Sequence, residues 1–172
     1  MYYRKIGLFH GATLSMLCVI SYWLITHILP HAVSVSRDDD LLGGMWSVVA
    51  TVFVYRYAYE ETISAALSRI SATLLSFVLC FAYLLIWPFT MWGMAALIGI
   101  GAVVMVRVDR REDVVTTGIT TAVVMVVAGL NPESAWREPV LRVIDTLLGT
   151  GVAIFGALIS PKPMIGRSSE RN

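Results

Sequence analysis

The chain has 172 residues, of which 57% are hydrophobic and only 15% are charged, and its formal net charge is +1. The mean hydropathy of +0.73 excludes an ordinary soluble domain. The near-neutral charge argues against a nucleic-acid partner, because proteins that bind nucleic acids carry basic patches. The charged residues are clustered along the chain, and apolar runs lie between the clusters.

These apolar runs predict transmembrane helices. About 20 apolar residues cross a bilayer as a helix, and only helices or closed barrels can do so. The runs lack the apolar/polar alternation of barrel strands. In chain order they cover residues 6–30, 41–55, 63–87, 91–106, 114–130 and 140–160. The second and fourth runs are short and need their flanking residues to span. We therefore expect an all-α, multi-pass membrane protein with six transmembrane helices over residues 1–160 and a short cytoplasmic tail over 161–172.

The first run has two interpretations. It follows the basic residues Arg4 and Lys5 and ends near small residues, as a cleaved signal peptide would. However, it is long for a signal peptide and is interrupted by polar residues such as His10 and Ser21. A retained helix is the interpretation we favour.

Basic residues in the loops between spans set the orientation. With the N-terminus inside, ten of the 13 basic residues lie at or near the cytoplasmic face and three lie outside. This asymmetry predicts that both chain ends are cytoplasmic. The expected location is the cell membrane, most simply a bacterial inner membrane.

The chain also matches itself at an offset of 73 residues without a gap. The matching pairs include Arg37 and Arg110, Glu60 and Glu133, Arg69 and Arg142, Thr73 and Thr146, and Pro88 and Pro161. Chance is the alternative explanation, since charges and prolines gather at helix ends. If the match is a true repeat, helices 1–3 (about 1–87) correspond to helices 4–6 (about 91–160). An odd number of spans inverts the second copy, which predicts a 3+3 inverted repeat of the kind found in secondary transporters.

Arg69 and Arg142 are the strongest candidates for a substrate site. The repeat predicts that Arg69 lies toward the cytoplasmic side of helix 3 and Arg142 toward the outer side of helix 6. A charge inside a membrane costs at least about 2.5–3.5 kcal/mol, so such residues usually face a cavity and have a function. The planar guanidinium also suits bidentate carboxylate binding. The alternative is that each side chain snorkels to the lipid headgroups.

Three neighbouring residues could assist these arginines. Thr73 and Thr146 lie one turn further on the same helix face and could donate hydroxyl hydrogen bonds, or could simply bond back to the preceding turn. Asp145 lies three residues after Arg142, so the two can pair along the helix. The pair either offsets a buried charge or acts as a switch, in which a substrate anion or a proton displaces the internal partner. Any proton-linked step is expected at Asp145. Since only the second copy has this acid, we expect the second copy to be the better substrate site.

The same motifs resemble a known family. The phrase from Arg142 to Gly149, R-x-x-x-T-L-L-G, resembles the last-helix signature of the fusaric-acid-resistance-like proteins, which include bacterial aromatic acid exporters and, more distantly, plant aluminium-activated malate channels. The phrase from Arg69 to Ser76 is similar to the family pattern R-x-x-G-T-x-x-G, with Ala72 and Ser76 in place of the two glycines. Family members usually carry a large cytoplasmic helical domain or a doubled membrane module, whereas twelve residues follow Ser160 here.

The resemblance implies a six-helix module that oligomerises and moves organic anions out of the cell. We therefore expect a transporter or channel-like permease for organic, especially aromatic, carboxylates. Its partners would be the lipid bilayer, the small organic anion and further copies of itself. The alternative is a non-transporting membrane subunit that scaffolds a partner. Since no nucleotide-binding loop, nucleophile motif or Cys/His metal signature is found, we expect no enzymatic activity, no cofactor and no metal.

Overall fold

The computed structural model describes residues 2–27, 37–130, 132 and 135–160. These residues form six α-helices, and a 3-10 turn over Arg111–Asp113 precedes the fifth. The helices are α1 Tyr2–His27, α2 Arg37–Val54, α3 Tyr59–Leu84, α4 Met91–Arg107, α5 Val114–Leu130 and α6 Arg137–Ile159. The all-α prediction is confirmed for the described residues, and each helix overlaps one of the predicted apolar runs.

Local sequence signals explain several helix ends. Two acids, Glu60 and Glu61, occupy the first turn of α3, where the positive end of the helix dipole favours them. Pro88 follows the end of α3 and cannot continue a helix. Thr90 caps α4, because its hydroxyl oxygen accepts a 3.0 Å hydrogen bond from the backbone N–H of Gly93.

Four helical segments are long and apolar enough to cross a membrane. They are Gly7–His27, Tyr59–Leu84, Arg111–Leu130 and Arg137–Ile159. The remaining two, Asp40–Val54 and Met91–Arg107, are shorter apolar helices. The structure therefore identifies a multi-pass membrane protein, while the count of six spans remains a prediction.

Contacts between the helix ends bear on that prediction. The link from α2 to α3 and the turn before α5 line one pocket, so both lie at the same end of the bundle. The beginning of α1 and the end of α6 also lie there, because His10 stacks on Tyr55 and Tyr57, and the Tyr55 hydroxyl donates a 3.3 Å hydrogen bond to Ser160 Oγ. This arrangement is the one that six alternating traverses of the bundle produce.

The helix packing is symmetric when helices 1–3 are exchanged for helices 4–6. Helix α2 packs between α1 and α6, and α5 packs correspondingly between α4 and α3. The long helices α3 and α6 pack against each other at the centre. Three residues of each helix line a small cavity at their crossing: Ile70, Thr73 and Leu74 from α3, and Val143, Thr146 and Leu147 from α6. Each residue of the first set lies 73 positions before one of the second, which is the offset of the predicted repeat; the inversion of the second copy remains a prediction.

Polar residues occupy much of the interior. Among the described residues, sixteen buried residues are polar or charged and sixteen are hydrophobic. Many large apolar side chains, such as Leu8, Met16 and Phe155, are instead exposed. This distribution is the reverse of that in a soluble domain and suits a protein whose outer surface contacts lipid.

The glycines divide into two groups. A Cβ atom at Gly149 would overlap the Ser47 carbonyl oxygen, and one at Gly156 would overlap Leu17, so these glycines permit close helix packing. In contrast, a Cβ atom added at Gly7, Gly11, Gly99 or Gly151 would meet no described atom within 4 Å. Gly7 and Gly11 form a Gly-x-x-x-Gly pattern, which allows close helix packing or dimerisation, and no described atom of the same chain occupies the space beside it. The faces that carry these four glycines leave space for the predicted homo-oligomer contacts.

The acidic residue directly before α5 connects this turn to α3. Asp113 is buried, forms a 2.7 Å ion pair with Arg110 and accepts a hydrogen bond from the Ser68 hydroxyl. It therefore fixes the turn to α3 through side chains. At the offset of 73 residues Asp113 corresponds to Asp40 in the first turn of α2, which is only partly buried, and the side chains of Asp38 and Asp39 lie outside the described part of the structure.

Candidate functional site

A pocket of about 320 Å³ opens at the end of the bundle that carries the α2–α3 link. We call it the vestibule. Its walls come from α2, α3 and the start of α5, and its apolar wall includes the half-exposed ring of Phe53. Its buried end contains Arg69 and Asp113, and its exposed end contains Arg56, Glu61 and Glu112. The volume falls in the range of small-molecule sites.

Arg69 is enclosed by protein at the inner end of the vestibule. Only 4% of it is exposed, which rules out the snorkelling alternative for this side chain. Its guanidinium carbon lies 5.1 Å from the centroid of the Phe53 ring, a cation–π contact. Within the described residues no carboxylate lies within 4 Å of Arg69, and its Nε has no hydrogen-bond partner. Arg69 is therefore a buried cation without a counter-ion in this part of the chain.

Arg142 is equally buried, at 4% exposed, but its charge is neutralised. Its Nη1 lies 3.2 Å from Asp145 Oδ2, and its Nη2 lies 3.8 Å from Glu138 Oε2. The predicted pairing with Asp145 is confirmed. Gly43 of α2 makes room for this pair, since a Cβ there would lie 2.9 Å from Asp145 Oδ1. Glu138 was not anticipated, although its i, i+4 spacing to Arg142 is a recognised signal for an ion pair.

A small cavity brings the two arginines together. It has a volume of about 10 Å³, enough for roughly one water molecule. Arg69, Arg142, Trp46, Thr120 and Thr146 line it, together with Val123. Because Arg69 also lines the vestibule, it separates the large pocket from this narrow cavity. The two arginines thus meet inside the bundle.

The two threonines also meet, at the crossing of α3 and α6. Thr73 and Thr146 both line the second cavity of about 10 Å³. The buried hydroxyl oxygen of Thr73 has no hydrogen-bond partner among the described residues, so it does not bond back to the preceding turn. All five predicted site residues therefore lie in the central part of the bundle where α3 packs against α6.

Two aromatic residues of α2 were not predicted from the sequence. Phe53 covers Arg69, and the Trp46 ring centroid lies 5.7 Å from the Arg142 guanidinium carbon. Trp46 and Phe53 are seven residues apart, which places them on the same helix face two turns from each other. Aromatic residues are common in any transmembrane helix, and only packing of α2 beside both arginines distinguishes these two.

Chemically, the arrangement favours binding of an organic anion at Arg69. A buried charge without a partner carries a desolvation cost that a bound carboxylate would offset. The hydroxyl groups of Ser64, Ser68 and Thr116 line the same pocket and supply further hydrogen-bonding groups. The ring of Phe53 offers an apolar contact for the remainder of such a ligand.

Comparison with known proteins gives one match. Residues 20–156, well over half of the chain, match a family model described as fusaric acid resistance protein-like. No curated protein and no solved structure matches the chain at a significant level.

Proposed function

Because the chain belongs to the fusaric acid resistance protein-like family, we propose that it is a membrane permease that exports organic, especially aromatic, carboxylate anions. The family connects it with transport or resistance functions in membranes. The observation that carries the proposal is the buried, unneutralised Arg69 at the inner end of a 320 Å³ vestibule. In a bacterial cell the expected location is the inner membrane.

Arg69 is the primary anion ligand in this proposal. It faces the vestibule and lacks a carboxylate partner among the described residues, whereas Arg142 already has two. This reverses our expectation from the sequence that the second copy of the repeat binds the substrate. Arg142, Asp145, Thr73 and Thr146 line or adjoin the narrow region beyond Arg69, through which an anion would have to pass.

The pairing of Arg142 with Asp145 then acts as a closed gate. A cavity of about 10 Å³ is too small for an organic acid, so the route beyond Arg69 is closed in this structure. A substrate carboxylate that reaches Arg142 would replace Asp145 as its partner. Displacement of Asp145 from Arg142 would couple movement of the substrate to opening of the route beyond Arg69.

Flux measurements test the proposal. In proteoliposomes loaded with benzoate, Arg69→Ala should reduce efflux at least tenfold, because a charge-assisted hydrogen bond contributes about 1.5–3 kcal/mol. Arg107→Ala is the matched control, since Arg107 is an exposed arginine at the end of α4 and lines neither the vestibule nor the two small cavities. Efflux that is equal in Arg69→Ala and the wild type would contradict the role of Arg69. A folded wild-type protein that moves no organic anion would instead favour the scaffolding alternative.

A further inference from the structure

The vestibule carries opposite charges at its two ends. Arg69 supplies an unneutralised positive charge at the buried end. At the exposed end, Glu61 and Glu112 face a single base, Arg56, and neither acid forms an ion pair within 4 Å among the described residues. The third acid of the pocket, Asp113, is already neutralised by Arg110. The pocket is therefore positive inside and negative at its mouth.

This polarity suits a carboxylate that also carries a positive charge better than it suits a simple anion. An organic acid that enters with its carboxylate toward Arg69 leaves its other end beside Glu61 and Glu112. If that end is apolar, the two carboxylates receive no partner and weakly repel the entering anion. If that end is a cationic amine, both ends of the ligand meet the opposite charge.

The spacing of the charges defines the length of such a ligand. Arg69 lies eight residues after Glu61 on α3, which corresponds to an axial rise of about 12 Å. Helical side chains lean toward the N-terminus of their helix, and because the Arg69 side chain is longer than that of Glu61, the gap between their charged groups is somewhat shorter than this rise. The amine and the carboxylate should thus be separated by about the length of one aromatic ring and a methylene group. The Phe53 ring lines the pocket and lies beside Arg69.

We propose that the vestibule selects zwitterionic organic acids, in which a cationic amine lies at the opposite end of the molecule from the carboxylate. This inference rests on the proposed function, because it uses Arg69 as the carboxylate ligand. Glu61 and Glu112 are then the residues that determine specificity, and they bind the amine.

Two probes of similar size distinguish the proposal from simple anion binding. 4-(Aminomethyl)benzoate carries the amine, and 4-ethylbenzoate has the same ring and carboxylate without it. Binding of each probe to the purified full-length protein in detergent is measured by calorimetry. The wild type should bind 4-(aminomethyl)benzoate about two- to twentyfold more tightly than 4-ethylbenzoate, because each exposed charge pair raises the binding affinity by only a small factor.

Variants then identify the residues that cause the preference for the amine-bearing probe. Glu61→Gln combined with Glu112→Gln should abolish the preference while 4-ethylbenzoate binds as well as before or better. Glu60→Gln is the matched control, because Glu60 is the neighbouring exposed acid of α3 but does not line the vestibule, and it should keep the preference. Arg69→Ala should weaken both probes alike. Circular dichroism spectra of all variants verify that they are folded.

The outcomes separate this inference from the proposed function. Equal wild-type affinity for the two probes, or a preference that persists in the double variant, overturns the zwitterion proposal alone. Failure of the folded wild type to bind either probe overturns both proposals. Selective binding without flux in liposomes supports the vestibule site and overturns the permease function.

Discussion

Two arginines at equivalent positions of the predicted repeat have different surroundings. Arg69 and Arg142 share the same burial, the same contact with an aromatic ring of α2, and one cavity. Of these two arginines, only Arg142 has carboxylate partners among the described residues, because α6 contains Glu138 and Asp145 where α3 contains Ala65 and Ala72. Two differences between the copies therefore separate a neutralised arginine from a candidate ligand site.

This difference predicts unequal effects on stability. Arg142→Ala leaves the buried Asp145 carboxylate without its partner at 3.2 Å and should cost about 3–5 kcal/mol. Arg69→Ala removes a buried charge that has no counter-ion among the described residues, so it should cost about 1 kcal/mol or less despite its effect on flux. Reversible unfolding in mixed micelles, followed by circular dichroism, measures both values. Equal destabilisation by the two changes would show that Arg69 has a further structural partner.

Gly149 and Gly151 form a second matched pair of residues in one helix. A Cβ at Gly149 would overlap the Ser47 carbonyl oxygen of α2, whereas a Cβ at Gly151 meets no described atom within 4 Å. Gly149→Ala should destabilise the protein by about 1–3 kcal/mol through overpacking. Gly151→Ala should be neutral or stabilise it by up to about 1 kcal/mol, because alanine favours helix. The same unfolding measurement compares them, and similar values for both would contradict the close packing of α2 against α6.

At the scale of elements, α2 supports the candidate site although it contributes none of the predicted site residues. Gly43 of α2 makes room for Asp145 of α6, the Ser47 backbone packs closely against Gly149, and Trp46 and Phe53 cover the two arginines. A helix that is short and ordinary in composition thus positions both guanidinium groups.

Helix α3 shows how a departure from the family pattern is accommodated. Ser76 stands where the resemblance leads us to expect glycine, and at the equivalent position of α6 Gly149 permits close packing. The Ser76 hydroxyl donates a 3.1 Å hydrogen bond to the Thr117 carbonyl oxygen and accepts one from Thr121. The contact of α3 with α5 therefore relies on hydrogen bonds at this position, whereas that of α6 with α2 relies on a missing side chain.

For the whole molecule, the arrangement of links predicts a topology that labelling can test. In a background with Cys18→Ala and Cys80→Ala, single cysteines introduced by Tyr57→Cys and Asp109→Cys should react from the cytoplasmic side. A cysteine introduced by Trp87→Cys, in the α3–α4 link, should react only from outside. A membrane-impermeant maleimide applied to intact and permeabilised cells makes the comparison. Reaction of all three positions from one side would contradict six alternating spans.

The sequence by itself determined the membrane class, the six helices and the five candidate site residues. These follow from the length of apolar runs, from the cost of charges inside them, and from a repeat of 73 residues, all of which are local or periodic properties of the chain. The pair of Arg142 with Asp145 was also predictable, since three-residue spacing on a helix fixes it.

Only the tertiary structure decided which arginine is neutralised, which glycines face a neighbour, and where the vestibule lies. Each of these features depends on contacts between residues of different elements. Phe53 covers Arg69, and the Ser47 carbonyl lies beside Gly149. Glu61 and Glu112 both lie at the exposed end of the vestibule. In an apolar chain many positions have similar side chains, so periodicity leaves the rotation and pairing of helices undetermined. Packing selects among these arrangements, and within the described part of the chain it leaves Arg69, not Arg142, without a carboxylate partner.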